Sequence, residues 1–127
     1  MWTLLVGALF YGVRPSRQEL LGGALGLAGV ALVVGNAAYA TSALLNPGND
    51  ARAIGQLLTT AGFQVDLLLD ASTADMRAAV ARMEQRLQDP RVKTALFYYA
   101  GHAVQLDWRN FLIGVDSRIR RIEDVPR

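Results

Sequence analysis

Between Val30 and Tyr99 three short apolar runs alternate with two stretches whose apolar residues recur at helical spacing, and this alternation constrains the fold more than any other feature. The runs are Val30–Val34, Val65–Leu69 and Thr94–Tyr99. Asn46-Pro47-Gly48-Asn49 breaks the chain before Asp50, which reads as the cap of a helix with Ala51, Ile54, Leu57, Leu58 and Ala61 on one face, ended by Gly62. Ser72 and Asp75 have capping-box spacing, and a second helix follows with an apolar stripe of Met76, Val80, Met83 and Leu87 until Asp89-Pro90 stops it. Taken alone, Val30–Val34 suits a helix end as well as a buried strand. Its place in the strand, helix, strand, helix, strand order selects the strand. The expected fold class is therefore α/β, a doubly wound, mainly parallel sheet with flanking helices. Beyond the third strand, residues 104–106 and 111–113 flank Asp107–Asn110 and predict a hairpin. The last ten residues offer no closing strand or helix, so the domain is expected to be truncated in mid-fold.

The chain has 127 residues, enough for one modest core, and at 52% hydrophobic and 19% charged it is not a disordered chain. Its net charge of +2 comes from a small surplus of arginine over carboxylates and is no nucleic-acid footprint. The charge is unevenly placed: up to Asn49 only Arg14, Arg17 and Glu19 are charged. The sequence thus divides into an apolar, membrane-like helical segment over residues 1–29 and a domain over 30–127. The runs Trp2–Val13 and Leu20–Val34 are each shorter than the roughly 20 residues that cross a hydrocarbon core. Ser16 and Glu19 have capping-box spacing, so a helix is expected from about Arg17. Gly22, Ala24, Gly26 and Ala28 would let a second helix approach it closely in lipid. Membrane association through residues 1–34 is the corresponding expectation, and residues 12–34, Gly-x-x-Pro turn included, resemble the terminal helix pair of drug/metabolite transporters.

Chemistry in an open parallel sheet belongs beyond the carboxyl ends of its strands. His102, the only histidine, follows the third strand through Ala100-Gly101, and Asp50 closes the loop after the first. An imidazole there can take a proton from a nucleophile, or can be a polar residue satisfied by main-chain groups. Asp50 can serve a ligand or cap its helix. Gly35-Asn36-Ala37-Ala38 lacks the further glycines of a dinucleotide loop and the Gly-Lys-Ser/Thr of a P-loop. One histidine and scattered carboxylates make no three-ligand metal site, and no cofactor is expected. Tyr98 and Tyr99 fall in a buried-strand pattern without an arginine stripe, which speaks for packing rather than nucleic acid. The absence of cysteine removes thiolate chemistry from these residues.

Ala31-Leu-Val-Val-Gly-Asn-Ala-Ala-Tyr39, Asn46-Pro-Gly-Asn-Asp-Ala51, Ala61-Gly-Phe63, Leu67-Leu-Leu-Asp70 and Ala95-Leu-Phe-Tyr-Tyr-Ala-Gly-His102 together resemble the large catalytic subunit of caspase-like peptidases, metacaspase relatives of bacterial type above all. The resemblance runs over residues 30–116. It implies a partial caspase-like fold, truncated before the strand that carries the nucleophile, and an activity of cysteine endopeptidase type on peptide or protein substrates. It implies that His102 is the histidine of a Cys-His dyad, that Asp50 binds a basic P1 side chain so that cleavage follows Arg or Lys, and that the Ala103 N–H holds the oxyanion. Calcium dependence is compatible with it. Ala103 replaces a family glycine, where a positive φ would be costly. Trp108 and Gly114 replace a glycine and a proline of the hairpin region. The family cysteine lies about 50 residues past the histidine, whereas this chain ends 25 positions after His102. The chain is therefore expected to be inactive as written, with a non-catalytic interaction module or a transporter-type membrane fragment as the alternatives.

Overall fold

The computed structural model describes residues 3–4, 7–12, 29–118 and 124. Its elements are β1 (Thr3–Leu4), β2 (Gly7–Gly12), β3 (Gly29–Gly35), α1 (Pro47–Thr60), β4 (Phe63–Leu69), α2 (Thr73–Arg86), β5 (Thr94–Ala100), β6 (His102–Leu106) and β7 (Arg109–Leu112). The three apolar runs are the parallel strands. β3 pairs in parallel with β4 on one side and β5 on the other, in a four-stranded sheet of order β2-β5-β3-β4. As the centre of that sheet β3 is buried along its whole length, which is why it carries no polar side chain.

Because β4 and β5 lie on opposite sides of β3, the two crossovers run in opposite directions over it, and the right-handed rule sends their helices to opposite faces. The alternation of side chains along β3 shows the result. Ala31 and Val33 pack with Ala51 of α1 and with Leu96 and Tyr98 of β5. Leu32 and Val34 pack with Ala71, Ala79 and Tyr99 on the α2 face. At the end of β3 the first turn of α1 comes so close that a Cβ on Gly35 would lie 2.6 Å from the Ala51 Cβ. Only glycine fits this approach.

The second helix begins as its sequence requires, with the Ser72 hydroxyl accepting from the Asp75 N–H and the Asp75 carboxylate from the Ser72 N–H. Met76 and Met83 pack on the sheet, but the fully buried residue of α2 is Ala79, and Val80 and Leu87 are 44% and 43% exposed. The first helix begins three residues earlier than Asp50. Pro47 occupies the first helical position, where its missing N–H costs nothing, and Asn46 is the cap residue without a side-chain bond. Its buried line accordingly runs through Pro47, Ala51 and Gly55, with Ile54 and Leu58 beside it, and Leu57 is 64% exposed.

A separate antiparallel sheet of order β1-β6-β7 contains the hairpin. Its loop is two residues, not four: Leu106 pairs with Arg109, and Asp107 and Trp108 turn the chain with φ of 50° and 61°. Left-handed backbone at both positions gives the turn the twist of the strands it joins, which a longer polar loop would not. Trp108 is 95% exposed there and makes a poor occupant of left-handed backbone. Replacing Trp108 by Gly should therefore stabilise the chain by about 1 kcal/mol, read as a higher urea midpoint at unchanged slope. A lower midpoint would mean that the indole is held by packing.

Of the apolar segment 1–29, the described residues 3–4 and 7–12 are strands rather than helix. β2 runs antiparallel along the outer edge of β5, Gly7 opposite Tyr99 through Gly12 opposite Thr94, and so satisfies main-chain groups that an open edge would leave unpaired. The helix expected from about Arg17 lies outside the described residues. Val30–Val34, which the transporter resemblance would make helical, is strand, because both neighbours in the sheet claim its main chain. Among the described residues no helix is long and apolar enough to cross a membrane.

Candidate functional site

The carboxyl ends of β3 and β5 meet in a polar cluster. Past Gly35 the chain turns away from the sheet, and the Asp70 carboxylate accepts from the N–H groups of Ala37 and Ala38 at 2.8 and 2.9 Å. Asp70 itself has φ of 51°, a conformation aspartate tolerates better than most residues. Leu44 N–H returns to the Ala37 carbonyl at 2.9 Å and closes the loop. That closure places the Ser42 carbonyl oxygen 2.7 Å from His102 Nε2.

His102 opens β6 after Gly101 and is 7% exposed. Its N–H donates to the Tyr39 hydroxyl at 3.0 Å, its carbonyl accepts from the Tyr99 hydroxyl at 2.7 Å and from Ile113 N–H at 3.0 Å, and the Tyr39 ring stands 4.4 Å from the imidazole at 55°. A carbonyl only accepts, so the 2.7 Å contact assigns the proton to Nε2. In the neutral ring the basic lone pair then belongs to Nδ1. Such an imidazole can take a proton at Nδ1 while the Ser42 carbonyl holds the opposite edge.

Asp50 stands in the first turn of α1, exposed, with its N–H on the Asn46 carbonyl at 3.0 Å. It does not cap the helix, because the helix has already begun at Pro47. A carboxylate there is favoured by the N-terminal dipole without being consumed by it. Its charge reaches Tyr98, whose phenol is raised above its ordinary value first by burial and then by Asp50. Burial likewise raises Tyr39 and, further, Tyr99, so both phenols stay protonated throughout the neutral range. His102 and Asp50 thus border the same end of the sheet, joined through the loop that carries Ser42.

Ala103 is 4% exposed and lies within β6, outside the left-handed region, so the conformational cost foreseen for an alanine there does not arise. Since the polar main-chain groups of His102 are turned to Tyr39 and Ile113, those of Ala103 face the opposite edge, where Thr3 is its register partner. Among the described residues no group of three or more histidine or acidic side chains is placed to hold a metal ion. A separate apolar groove lies between α2 and the hairpin, lined by Leu32, Val34, Met76, Phe97 and Phe111, and neither His102 nor Asp50 borders it.

Sequence reading overlooked four members of the cluster. Ser42 acts through a main-chain oxygen and leaves no mark in the sequence. Tyr39, Tyr99 and Asn36 could have been found by asking where a buried hydroxyl or amide in an apolar setting obtains its partners.

The family model of the caspase domain matches residues 28–125. The chain belongs to the caspase domain family. No curated protein and no solved structure matches it. In this caspase domain the mixed α/β architecture, with three parallel strands flanked by helices, accords with a partial caspase-like fold, and a peptidase family of this kind acts on peptide or protein substrates.

Proposed function

We propose that this caspase domain contributes the histidine half of a cysteine-peptidase centre that cleaves after Arg or Lys. The observation that carries the reading is the 2.7 Å contact between His102 Nε2 and the Ser42 carbonyl, which makes Nδ1 the basic atom. In the reaction a cysteine thiol gives its proton to Nδ1 and the thiolate sulfur adds to the scissile carbonyl carbon. The family resemblance gives the oxyanion to the Ala103 N–H, which here faces the β1 edge where Thr3 is its register partner, so Thr3 must give up that edge before substrate uses it. The tetrahedral adduct collapses, the imidazolium proton goes to the leaving amine, and water hydrolyses the thioester with His102 again the base. Asp50, exposed and with no described residue hydrogen-bonded to its carboxylate, binds the guanidinium or ammonium of the residue before the cut.

The thiol is not among these 127 residues, so the chain by itself should cleave nothing. The test supplies the thiol. The chain is extended with a cysteine-bearing continuation of a caspase domain and assayed on peptides with Arg, Lys or a neutral residue at the cut. The extended chain should hydrolyse the Arg and Lys peptides. Asp50→Ala should lower kcat/KM on those by roughly tenfold or more and leave the neutral peptide unchanged. Hydrolysis with no preference for a basic residue, or an equal loss on all three peptides, would remove Asp50 from the site. No hydrolysis by a folded, extended chain would defeat the peptidase reading and favour a non-catalytic interaction module.

A further inference from the structure

We infer that Tyr39 is a positioning residue for the His102 imidazole, a role that rests on the reading of His102 as the proton acceptor. The Tyr39 hydroxyl accepts from His102 N–H at 3.0 Å, donates to the Ile113 carbonyl at 2.9 Å, and lies 3.1 Å from the Tyr99 hydroxyl. The two phenols bring two protons. With Tyr39 donating to Ile113 and Tyr99 to the His102 carbonyl at 2.7 Å, both phenol oxygens keep an accepting lone pair, and that of Tyr39 takes the His102 N–H.

The two tyrosines are not equivalent. Tyr99 touches His102 only at its main-chain oxygen. Tyr39 holds the main-chain nitrogen and lays its own ring against the imidazole, 4.4 Å centre to centre. It also sits three residues before Ser42, in the loop whose carbonyl holds Nε2. One side chain therefore fixes the backbone from which the imidazole springs, one face of the ring, and the loop that selects the tautomer. A cation or a second histidine would be a poorer choice for this place. Burial raises the Tyr39 phenol, so the group stays neutral and keeps its donor throughout the neutral range.

The test uses the chain as it is. His102 is the only histidine, so its ring nitrogens are read by nitrogen-15 NMR with no ambiguity. The wild-type chain should show a single tautomer, protonated at Nε2, with a slowly exchanging ring proton. Tyr39→Phe should bring in the second tautomer and speed exchange of the Nε2 proton by roughly tenfold, the loss of about one hydrogen bond. Tyr99→Phe removes a hydroxyl from the same cluster and should leave the wild-type ring signature. An unchanged tautomer in folded Tyr39→Phe, or the same change in Tyr99→Phe, would overturn the assignment and make the phenols mere scaffolding. If Tyr39→Phe does not fold, the wild-type chain is warmed below its unfolding instead. The Nε2 proton and the His102 amide, which Tyr39 holds, should lose protection together; a ring proton that outlasts the amide would overturn the role. None of these readouts requires peptide cleavage, so failure of the peptidase reading and failure of the Tyr39 role are seen in different experiments.

Discussion

Replacing Asn36 by Ala should cost about 3–5 kcal/mol and leave little of the chain folded at ambient temperature. Asn36 is completely buried at the end of β3. Its Nδ2 donates to the carbonyls of Ala71 and Ile113, both at 3.2 Å, and its Oδ1 accepts from Ala71 N–H at 2.8 Å. The two carbonyls have other donors: Val115 N–H serves Ala71, and the Tyr39 hydroxyl serves Ile113. Ala71 N–H has no such substitute, so in the alanine variant it is a buried orphan at about 1–3 kcal/mol, to which the lost bonds and the vacated volume add. Asn36→Leu fills the volume and should recover only the cavity part. Asn36→Asp keeps the acceptor for Ala71 N–H but turns a carboxylate oxygen toward two carbonyls. It should therefore fold best in acid, where the protonated form donates, and lose stability as pH rises through its raised pKa. Urea midpoints of the three variants at two pH values check the set. A loss below 1 kcal/mol in Asn36→Ala would mean that water takes over the Ala71 N–H.

Asn36 also marks the boundary of what was legible in the sequence. The parallel strands and two helices follow from local rules: β-branched runs of the right length, a Ser72/Asp75 box with its hydrogen bonds formed, glycine and proline at the breaks. Where two local rules compete, sequence reading can choose the wrong one. Asp50 is a good cap and Pro47 a good first helical residue, and the close approach at Gly35 decides for Pro47. The hairpin loop looks like four residues in the sequence because Trp108 hides a two-residue turn that glycine would announce. The site was half visible for a deeper reason. His102 declares itself by type and by its place after a buried strand. Tyr39 and Ser42, which hold its main-chain nitrogen and its ring, lie 63 and 60 residues away along the chain, Ser42 acting through a carbonyl, and only the folded sheet brings them to it. In the sequence Asn36 shows only as a member of a glycine-poor loop unsuited to phosphate, whereas in the fold its amide ties the ends of three segments.

In the chain extended to carry a cysteine, His102→Ala should lower kcat by roughly 10²–10⁴, the usual worth of a positioned general base. The fold should survive the change. Every hydrogen bond that anchors residue 102 to Tyr39, Tyr99 and Ile113 uses main-chain atoms, which alanine retains. What disappears is the ring between Tyr39 and the Ser42 carbonyl, and with it the acceptor at Nδ1. KM should move little, since Asp50 and the peptide-binding edge are untouched; equal losses in kcat and kcat/KM would assign the lost interaction to the transition state. His102→Gln sharpens the test. A glutamine amide can still donate to the Ser42 carbonyl but offers no basic nitrogen, so it should restore the loop and not the rate. The pH profile separates the base from mere packing. Without the imidazole the nucleophile must ionise unaided, at about 8.5 for an unperturbed thiol. The rate of the alanine variant should therefore keep climbing through pH 8 and 9, where the parent has already levelled. A parent and variant with parallel profiles, or a glutamine variant as fast as the parent, would leave Nδ1 without a part in the chemistry.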